Sequence, residues 1–119
     1  MKRIHYFILA AVAVAWLSAC GKKIDSESQI REGEILVRAS DCKTCHHATN
    51  KIIGPSHTDV AKKYEFTTAN VKLLAERIIK GSSGVWGEIP MTAHPDLSQE
   101  DAEKMARYVL SLDGETEKQ

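Results

Sequence analysis

The clearest pattern of apolar residues lies in the middle of the chain and has helical spacing. It follows the order i, i+3, i+4, i+7 and consists of Val71, Leu74, Ala75 and Ile78. Thr67 or Thr68 can cap the start of this helix, and Gly81 stands where a helix end favours a left-handed residue. We therefore predict a well-defined helix between these caps.

A second apolar stripe lies near the end of the chain and comprises Ala102, Met105, Val109 and Leu112. Ser98 caps this final helix and Gly114 ends it. A weaker pattern from Ser28 to about Ser40 predicts the first helix, although Gly33 costs about 1 kcal/mol relative to alanine. The stretch 59–64 allows a short helix. No segment alternates apolar and polar residues over strand length, so we expect an all-α fold of about four short helices.

The chain has 119 residues, of which 43% are hydrophobic, and this size predicts one small domain. Its 16 basic and 16 acidic residues give no net charge, which argues against a general nucleic-acid binder. Four short helices in about a hundred residues make a small core. A large apolar prosthetic group would supply the missing interior.

The first nineteen residues resemble a bacterial lipoprotein signal peptide. Lys2 and Arg3 precede an apolar run of twelve residues, 6–17, which is shorter than the roughly 20 residues of a membrane-spanning helix. A retained transmembrane anchor is the weaker alternative. The sequence Leu17-Ser18-Ala19-Cys20 resembles the lipobox, whose cysteine becomes the lipid-modified first residue of the mature protein. An ordinary secreted protein with a spare thiol at Cys20 is the other alternative.

These features divide the chain into a signal peptide at 1–19, a lipid-anchored polar tether at 20–27, a folded domain at 28–113 and a flexible tail at 114–119. Two segments of the domain are rich in polar residues, glycine and proline and lack apolar periodicity: 41–57, with a helical turn expected at its cysteines, and 82–97. We expect both to be loops that carry chemistry.

The segment Cys42-Lys43-Thr44-Cys45-His46 has the C-x-x-C-H spacing typical of covalent haem attachment. The two thiols add to the haem vinyl groups, and the adjacent imidazole binds the iron. Three alternatives compete. A thioredoxin-like redox pair needs a βαβ setting, a structural zinc site needs further ligands, and a plain disulfide leaves the small core unexplained.

With this motif the chain resembles the small class I cytochromes c of bacteria, which are single-haem electron carriers. The resemblance covers about residues 28–113 and rests on the C-x-x-C-H motif, Ile53-Gly54-Pro55, the stretch 59–64, Gly81 to Gly87 with Trp86, Pro90-Met91 and the closing helix to Leu112. It implies the class I cytochrome c fold, with the helices wrapped around one covalently attached haem c.

The resemblance also implies that His46 and Met91 are the two axial ligands of the iron. A thioether stabilises ferrous iron, so this pair raises the reduction potential. Met105 is the alternative methionine, but it lies on the apolar stripe of the last helix, where a core position is expected. Three other histidines are alternative ligands or solvated surface residues: His47, His57 and His94.

Further site residues follow from the same resemblance. Pro55 resembles the family proline whose carbonyl accepts a hydrogen bond from the proximal imidazole, and Gly54 permits a close approach of the chain; an ordinary Gly-Pro turn is the alternative. Trp86 resembles the tryptophan that donates its indole N–H to a haem propionate, with core packing as its alternative. Thr92 stands where relatives often have proline, which predicts a less rigid loop.

The implied function is single-electron transfer by a monomer on the periplasmic side of a membrane, in a respiratory or related chain. The partners are redox proteins, and the membrane is reached through lipid at Cys20. With both axial positions filled, no site is open for oxygen or peroxide. A gas sensor or peroxidase with a labile Met91, and a non-redox scaffold with cross-linked cysteines, are the alternatives. Five lysines form either a docking ring at the haem edge or an ordinary solvated surface: Lys43, Lys51, Lys62, Lys63 and Lys80.

Overall fold

The computed structural model describes residues 25–119, and this part of the chain forms five α-helices and no β-strand. They are α1 (Ser26–Ala39), α2 (Cys42–Cys45), α3 (His57–Lys63), α4 (Thr68–Lys80) and α5 (Gln99–Leu110), followed by a 3₁₀ turn at Ser111–Asp113. The all-α prediction is confirmed, and α2 is the helical turn expected at the cysteines. Within residues 25–119 no helix is long and apolar enough to cross a membrane. The predicted signal peptide and Cys20 lie outside the described residues.

Side-chain caps define where the longer helices begin. The Thr67 hydroxyl accepts from Asn70 N at 3.2 Å before α4, and the Ser98 hydroxyl accepts from Asp101 N at 3.0 Å before α5. Both predicted caps are confirmed. The first helix starts at Ser26 rather than at the predicted Ser28, because the Asp25 carboxylate caps it.

The core lies where α4 and α3 pack against α5, and α1 crosses α5 on another side. Its buried side chains are Val60, Phe66, Val71, Leu74, Ala106, Val109 and Leu110. At the crossing Gly33 lies directly against the backbone of α5, so that a Cβ there would stand 1.9 Å from Lys104 O. Glycine is therefore required for the approach of the two helices, and is not merely a weak helix former.

The end of the chain corrects the prediction of a flexible tail at 114–119. Lys118 N donates to Phe66 O at 2.8 Å, and Thr68 N donates to Lys118 O at 3.1 Å. The Glu117 carboxylate accepts from Arg107 Nε at 3.0 Å, and both side chains are only 13% exposed. Backbone pairing and a largely buried ion pair hold this segment, and neither is visible as apolar periodicity.

Candidate functional site

A cavity of about 720 Å³ lies at the centre of the domain, and all five helices contribute to its wall. This volume is typical of a site for a small molecule or cofactor. The wall includes every predicted cofactor-binding residue of the domain: Cys42, Cys45, His46, Pro55, Trp86 and Met91. The structure thus brings together residues that are up to 49 positions apart in the chain.

The two cysteines occupy the single helical turn α2 on one wall of the cavity. His46 N donates to Cys42 O at 2.8 Å, which closes the turn and places the imidazole directly after it. Both thiols are free and half-buried. Over residues 25–119 no three His, Cys, Asp or Glu side chains are grouped as a metal cluster, so the described chain gives no support to a structural zinc site.

The His46 imidazole is fixed by the chain segment that passes behind it. Its Nδ1 lies 2.7 Å from Pro55 O, the hydrogen bond that the family resemblance implies. Because Nδ1 donates to this carbonyl, Nε2 is the nitrogen that remains as a metal ligand. Gly54 N donates to Cys45 O at 2.7 Å, and a Cβ on Gly54 would lie 2.6 Å from His46 Cε1. Glycine is therefore required behind the ring.

His57 was an alternative ligand in the sequence, and the structure stacks it on His46 instead. The ring centroids are 5.3 Å apart and the planes differ by 25°. Burial, together with the nearby His46 and His47, lowers the pKa of His57 to about 4. The ring is consequently neutral at pH 7. No sequence signal distinguishes this backing ring from a surface histidine.

Met91 lies in the loop predicted at 82–97, at the point where its backbone pairs with that of Ser82. Met91 N donates to Ser82 O at 2.7 Å, and Ser82 N donates to Met91 O at 3.3 Å. Gly81 ends α4 with φ +76°, and a Cβ there would lie 2.6 Å from Met91 O. Met105 also reaches the cavity wall, but it is 1% exposed in the core face of α5. Of these two methionines of the cavity wall, Met91 therefore lies on a loop and Met105 in the packed face of a helix.

Arg77 is a residue of the cavity wall to which the sequence pattern gives no role. Its guanidinium donates to the Tyr64 hydroxyl and lies 5.4 Å from the centre of that ring. Lys63 places its ammonium 5.1 Å from the Trp86 ring centroid. The guanidinium of Arg77 and the indole of Trp86 stand at the wall of a largely apolar cavity. This combination suits a flat apolar group that carries carboxylates. In the sequence, Arg77 is one of several charged residues of α4, and no pattern separates it from a solvent-exposed arginine.

The five lysines proposed as a docking ring are exposed, but they do not converge on the cavity. Of these lysines only Lys51 belongs to its wall. Lys80 is paired with Glu76 along α4. Lys43 lies on α2 and Lys62 and Lys63 lie at the end of α3, where Lys63 alone approaches a wall residue, the Trp86 ring. The five lysines are thus spread over separate elements, which favours an ordinary solvated surface.

Comparison with known proteins agrees with this geometry. The family model described as cytochrome c matches residues 30–113. The chain belongs to the cytochrome c family. Cytochrome c-551 of Pseudomonas aeruginosa is 35% identical over 99 residues, which cover 83% of this chain and 94% of that protein. Cytochrome c-552 of Nitrosomonas europaea is 39% identical over 77 residues, covering 65% and 75% respectively.

A solved relative confirms the class I cytochrome c fold. The crystal structure of wild-type cytochrome c552 from Nitrosomonas europaea has a TM-score of 0.62 and 38% identity, and the match covers 66% of this chain and 98% of that one. This cytochrome c is an electron carrier with covalently bound haem c, and not an enzyme. The free thiols, the oriented imidazole, the thioether and the apolar cavity form a donor set that fits haem c.

The glycine behind His46 provides a test of this arrangement. In the Gly54→Ala variant the new Cβ would push the imidazole away from Pro55 O, and loss of such an orienting bond weakens a ligand about 10- to 100-fold. With His46 as the iron ligand that the family resemblance implies, protons compete with iron for the imidazole, and acid displacement of His46 should occur about one pH unit higher. An optical acid titration measures this. Asn50→Ala, exposed in the same loop, is the control, and equal midpoints in all three proteins would contradict the prediction.

The half-buried His57 should make the protein less stable in acid. Since its pKa is lower in the folded state, the unfolded chain binds more protons between about pH 6.5 and 4, and the free energy of unfolding falls as pH is lowered through this window. Allowing for its partial exposure, we expect a loss of about 2 kcal/mol. His57→Phe keeps an aromatic ring and should flatten the profile. Denaturant unfolding at several pH values measures both; parallel profiles would refute the assignment.

Proposed function

We propose that this cytochrome c carries single electrons between periplasmic redox proteins, with its haem held through Cys42 and Cys45 and its iron bound by His46 and Met91. The observation that supports the proposal best is the convergence of these four side chains on one cavity, with the proximal imidazole tied to Pro55 O. The bound haem supplies an iron that alternates between the ferric and ferrous states.

The protein side chains set the ligands and keep the metal inaccessible. Hydrogen bonding to Pro55 fixes the orientation of His46 and increases its basicity. A neutral thioether from Met91 favours the ferrous state and raises the reduction potential. If His46 and Met91 both bound the iron, no coordination position would be open to a gas or peroxide. This favours the carrier over the sensor or peroxidase.

Carbon monoxide separates these two functions. We expect the reduced protein at neutral pH to keep its spectrum under carbon monoxide. Rapid binding of the gas would show an open distal position and would favour the function of a gas sensor or peroxidase over that of an electron carrier.

Arg77 and Trp86 are proposed to hold the carboxylate edge of the haem. Both lie on the cavity wall, and the guanidinium is already oriented by its contact with Tyr64. Arginine is suited to this task because its planar donors match carboxylate geometry. The Trp86 side chain is 37% exposed, which places it at the rim rather than in the interior.

We further propose that the mature chain begins at a lipid-modified Cys20 after removal of residues 1–19. Support comes from the basic start, the apolar run and the Leu17-Ser18-Ala19-Cys20 sequence. Helix α1 begins at Ser26, so the intervening chain spans at most roughly 20 Å. Lipid at Cys20 would therefore hold the redox domain close to the membrane surface.

Replacing Cys20 by serine tests the anchor separately from the redox site. The variant should lose the acyl chains and leave the membrane fraction, because a single polar residue cannot replace multiple acyl chains. Its optical spectrum should match that of the native protein, since Cys20 is distant in sequence from the haem-attachment motif. Fractionation and mass determination of the mature protein provide the measurement. Native protein in the soluble fraction with unmodified Cys20 would contradict lipidation.

A further inference from the structure

A hydrogen-bonded pair links two walls of the cavity that are far apart in the chain. His94 Nε2 lies 3.0 Å from Asp41 Oδ1, across 53 residues of sequence. Asp41 immediately precedes the haem-attachment turn α2, and His94 lies three residues after Met91. Both belong to the cavity wall. The pair therefore joins the proximal, haem-attached part of the protein to the segment that carries the distal methionine.

His94 is anchored on its other side to the end of α4. Its backbone N–H is shared between Ile78 O at 3.0 Å and Ile79 O at 3.1 Å, and its Nδ1 lies 3.3 Å from Ile78 O. Its side chain is 23% exposed. A carboxylate can only accept hydrogen bonds, so the Nε2 of His94 carries the hydrogen that Asp41 binds, and the attachment of His94 to α4 rests on its backbone N–H rather than on Nδ1. The backbone of His94 is thus bonded to the end of α4, and the Nε2 of its ring is directed to Asp41.

Asp41 is placed where an aspartate normally caps a helix, yet its side chain makes no capping bond to α2. Its carboxylate accepts from His94 instead. Capping thus does not account for the orientation of this side chain. The backbone of Met91 also pairs with that of Ser82, but this pairing joins two residues of the same loop and does not link the loop to α2. The contact of His94 with Asp41, by contrast, reaches the residue that immediately precedes the attachment turn.

We propose that Asp41 and His94 form a brace that closes the distal side of the haem pocket and thereby keeps Met91 on the iron. The inference rests on the proposed axial role of Met91. In this proposal the methionine leaves when its segment, including His94, moves away from the haem-attachment turn, and the contact of His94 with Asp41 opposes that movement. The brace lowers the population of the open state, and both residues are positioning residues that act through Met91.

Imidazole binding to the ferric holoprotein measures that population directly. Exogenous imidazole takes the position vacated by the methionine, so its apparent affinity scales with the fraction of open molecules. Because the carboxylate is largely exposed, we expect Asp41→Ala to raise the imidazole affinity about threefold to fivefold. Asp96→Ala removes an exposed carboxylate two residues from His94 and should bind imidazole as the native protein does.

A double-mutant cycle identifies the pair itself. His94→Ala should raise the affinity at least as much as Asp41→Ala, since it removes the same contact together with the packing of the ring, and Asp41→Ala should add nothing in the His94→Ala background. The weak long-wavelength ferric band of sulfur–iron ligation should fade as imidazole binds. An unchanged affinity in Asp41→Ala, or equal effects of Asp41→Ala in both backgrounds, would overturn the brace.

Met91→Ala separates failure of the brace from failure of the ligand assignment. This variant should bind imidazole more tightly than any brace variant, because its distal position is always open. If it binds imidazole no more tightly than the native protein, Met91 is not the ligand and the brace falls with it. If Met91→Ala behaves as expected while the cycle shows no coupling, only the brace is wrong.

Discussion

The Met91→Ala variant is expected to have a reduction potential lower by on the order of 0.2 V, since axial ligands set haem potentials over a range of about 0.8 V. The thioether favours the ferrous state, and alanine leaves that position to water or hydroxide, which favour the ferric state. The backbone of Met91 pairs with that of Ser82 at the base of the loop, and this pairing does not involve the side chain, so alanine should not unfold the segment. Optical potentiometry on native and variant holoproteins gives the shift.

Met105→Leu is the matched control for this prediction. Met105 is the other methionine of the cavity wall, buried in α5, and leucine conserves its volume at a cost typically below 1.5 kcal/mol. The control should retain the native potential and the long-wavelength ferric band. An unaltered potential in Met91→Ala, or loss of the band in Met105→Leu, would show that the distal ligand has been assigned to the wrong residue.

Gly33→Ala should lower the free energy of unfolding by about 3 kcal/mol, at the upper end of what overpacking usually costs. The added Cβ would stand 1.9 Å from Lys104 O and 2.5 Å from Lys104 C, and backbone atoms of a helix cannot move aside as a flexible side chain can. Helices α1 and α5 must therefore separate and lose contact along their crossing. Denaturant or thermal unfolding of the holoprotein measures the change.

The sign of the change in the free energy of unfolding shows whether packing or helix propensity dominates at position 33. In an exposed helix, glycine to alanine is stabilising by about 1 kcal/mol. Ile35→Ala lies in the same helix with a side chain that is 66% exposed, and it should change stability by less than about 0.5 kcal/mol. A Gly33→Ala protein at least as stable as the native one would refute the close contact of α1 with α5.

Local signals were sufficient to predict the longer helices and several of their ends, although α1 begins at Ser26 rather than Ser28 and α5 ends at Leu110, before the 3₁₀ turn that Gly114 closes. The caps at Thr67 and Ser98 and the left-handed glycine after α4 are governed by hydrogen bonds or dihedral angles within a few residues. The C-x-x-C-H motif is equally local, since both thiols and the imidazole lie on or beside one helical turn. These features could therefore be derived before any tertiary contact was known.

The features that sequence reasoning missed depend on contacts between distant residues. Gly33 was interpreted as a cost to its helix because Lys104 lies 71 residues away. His57 stacks on His46, and Arg77 reaches the cavity, through the fold rather than through periodicity. The ordered tail depends on Arg107 and Phe66, which no pattern within 114–119 indicates. Long-range packing determines each of these positions.

A potentiometric optical titration of the purified holoprotein, with carbon monoxide added at the reduced end, tests the electron-carrier function with His46 and Met91 ligation most directly. We expect one reversible transition with the slope of a one-electron couple, about 59 mV per tenfold change in the ratio of oxidised to reduced protein. The ferric form should show the sulfur–iron band, and the spectrum of the ferrous form should not change when carbon monoxide is added. A high-spin ferric spectrum together with ready binding of carbon monoxide would contradict the electron-carrier function with His46 and Met91 as ligands.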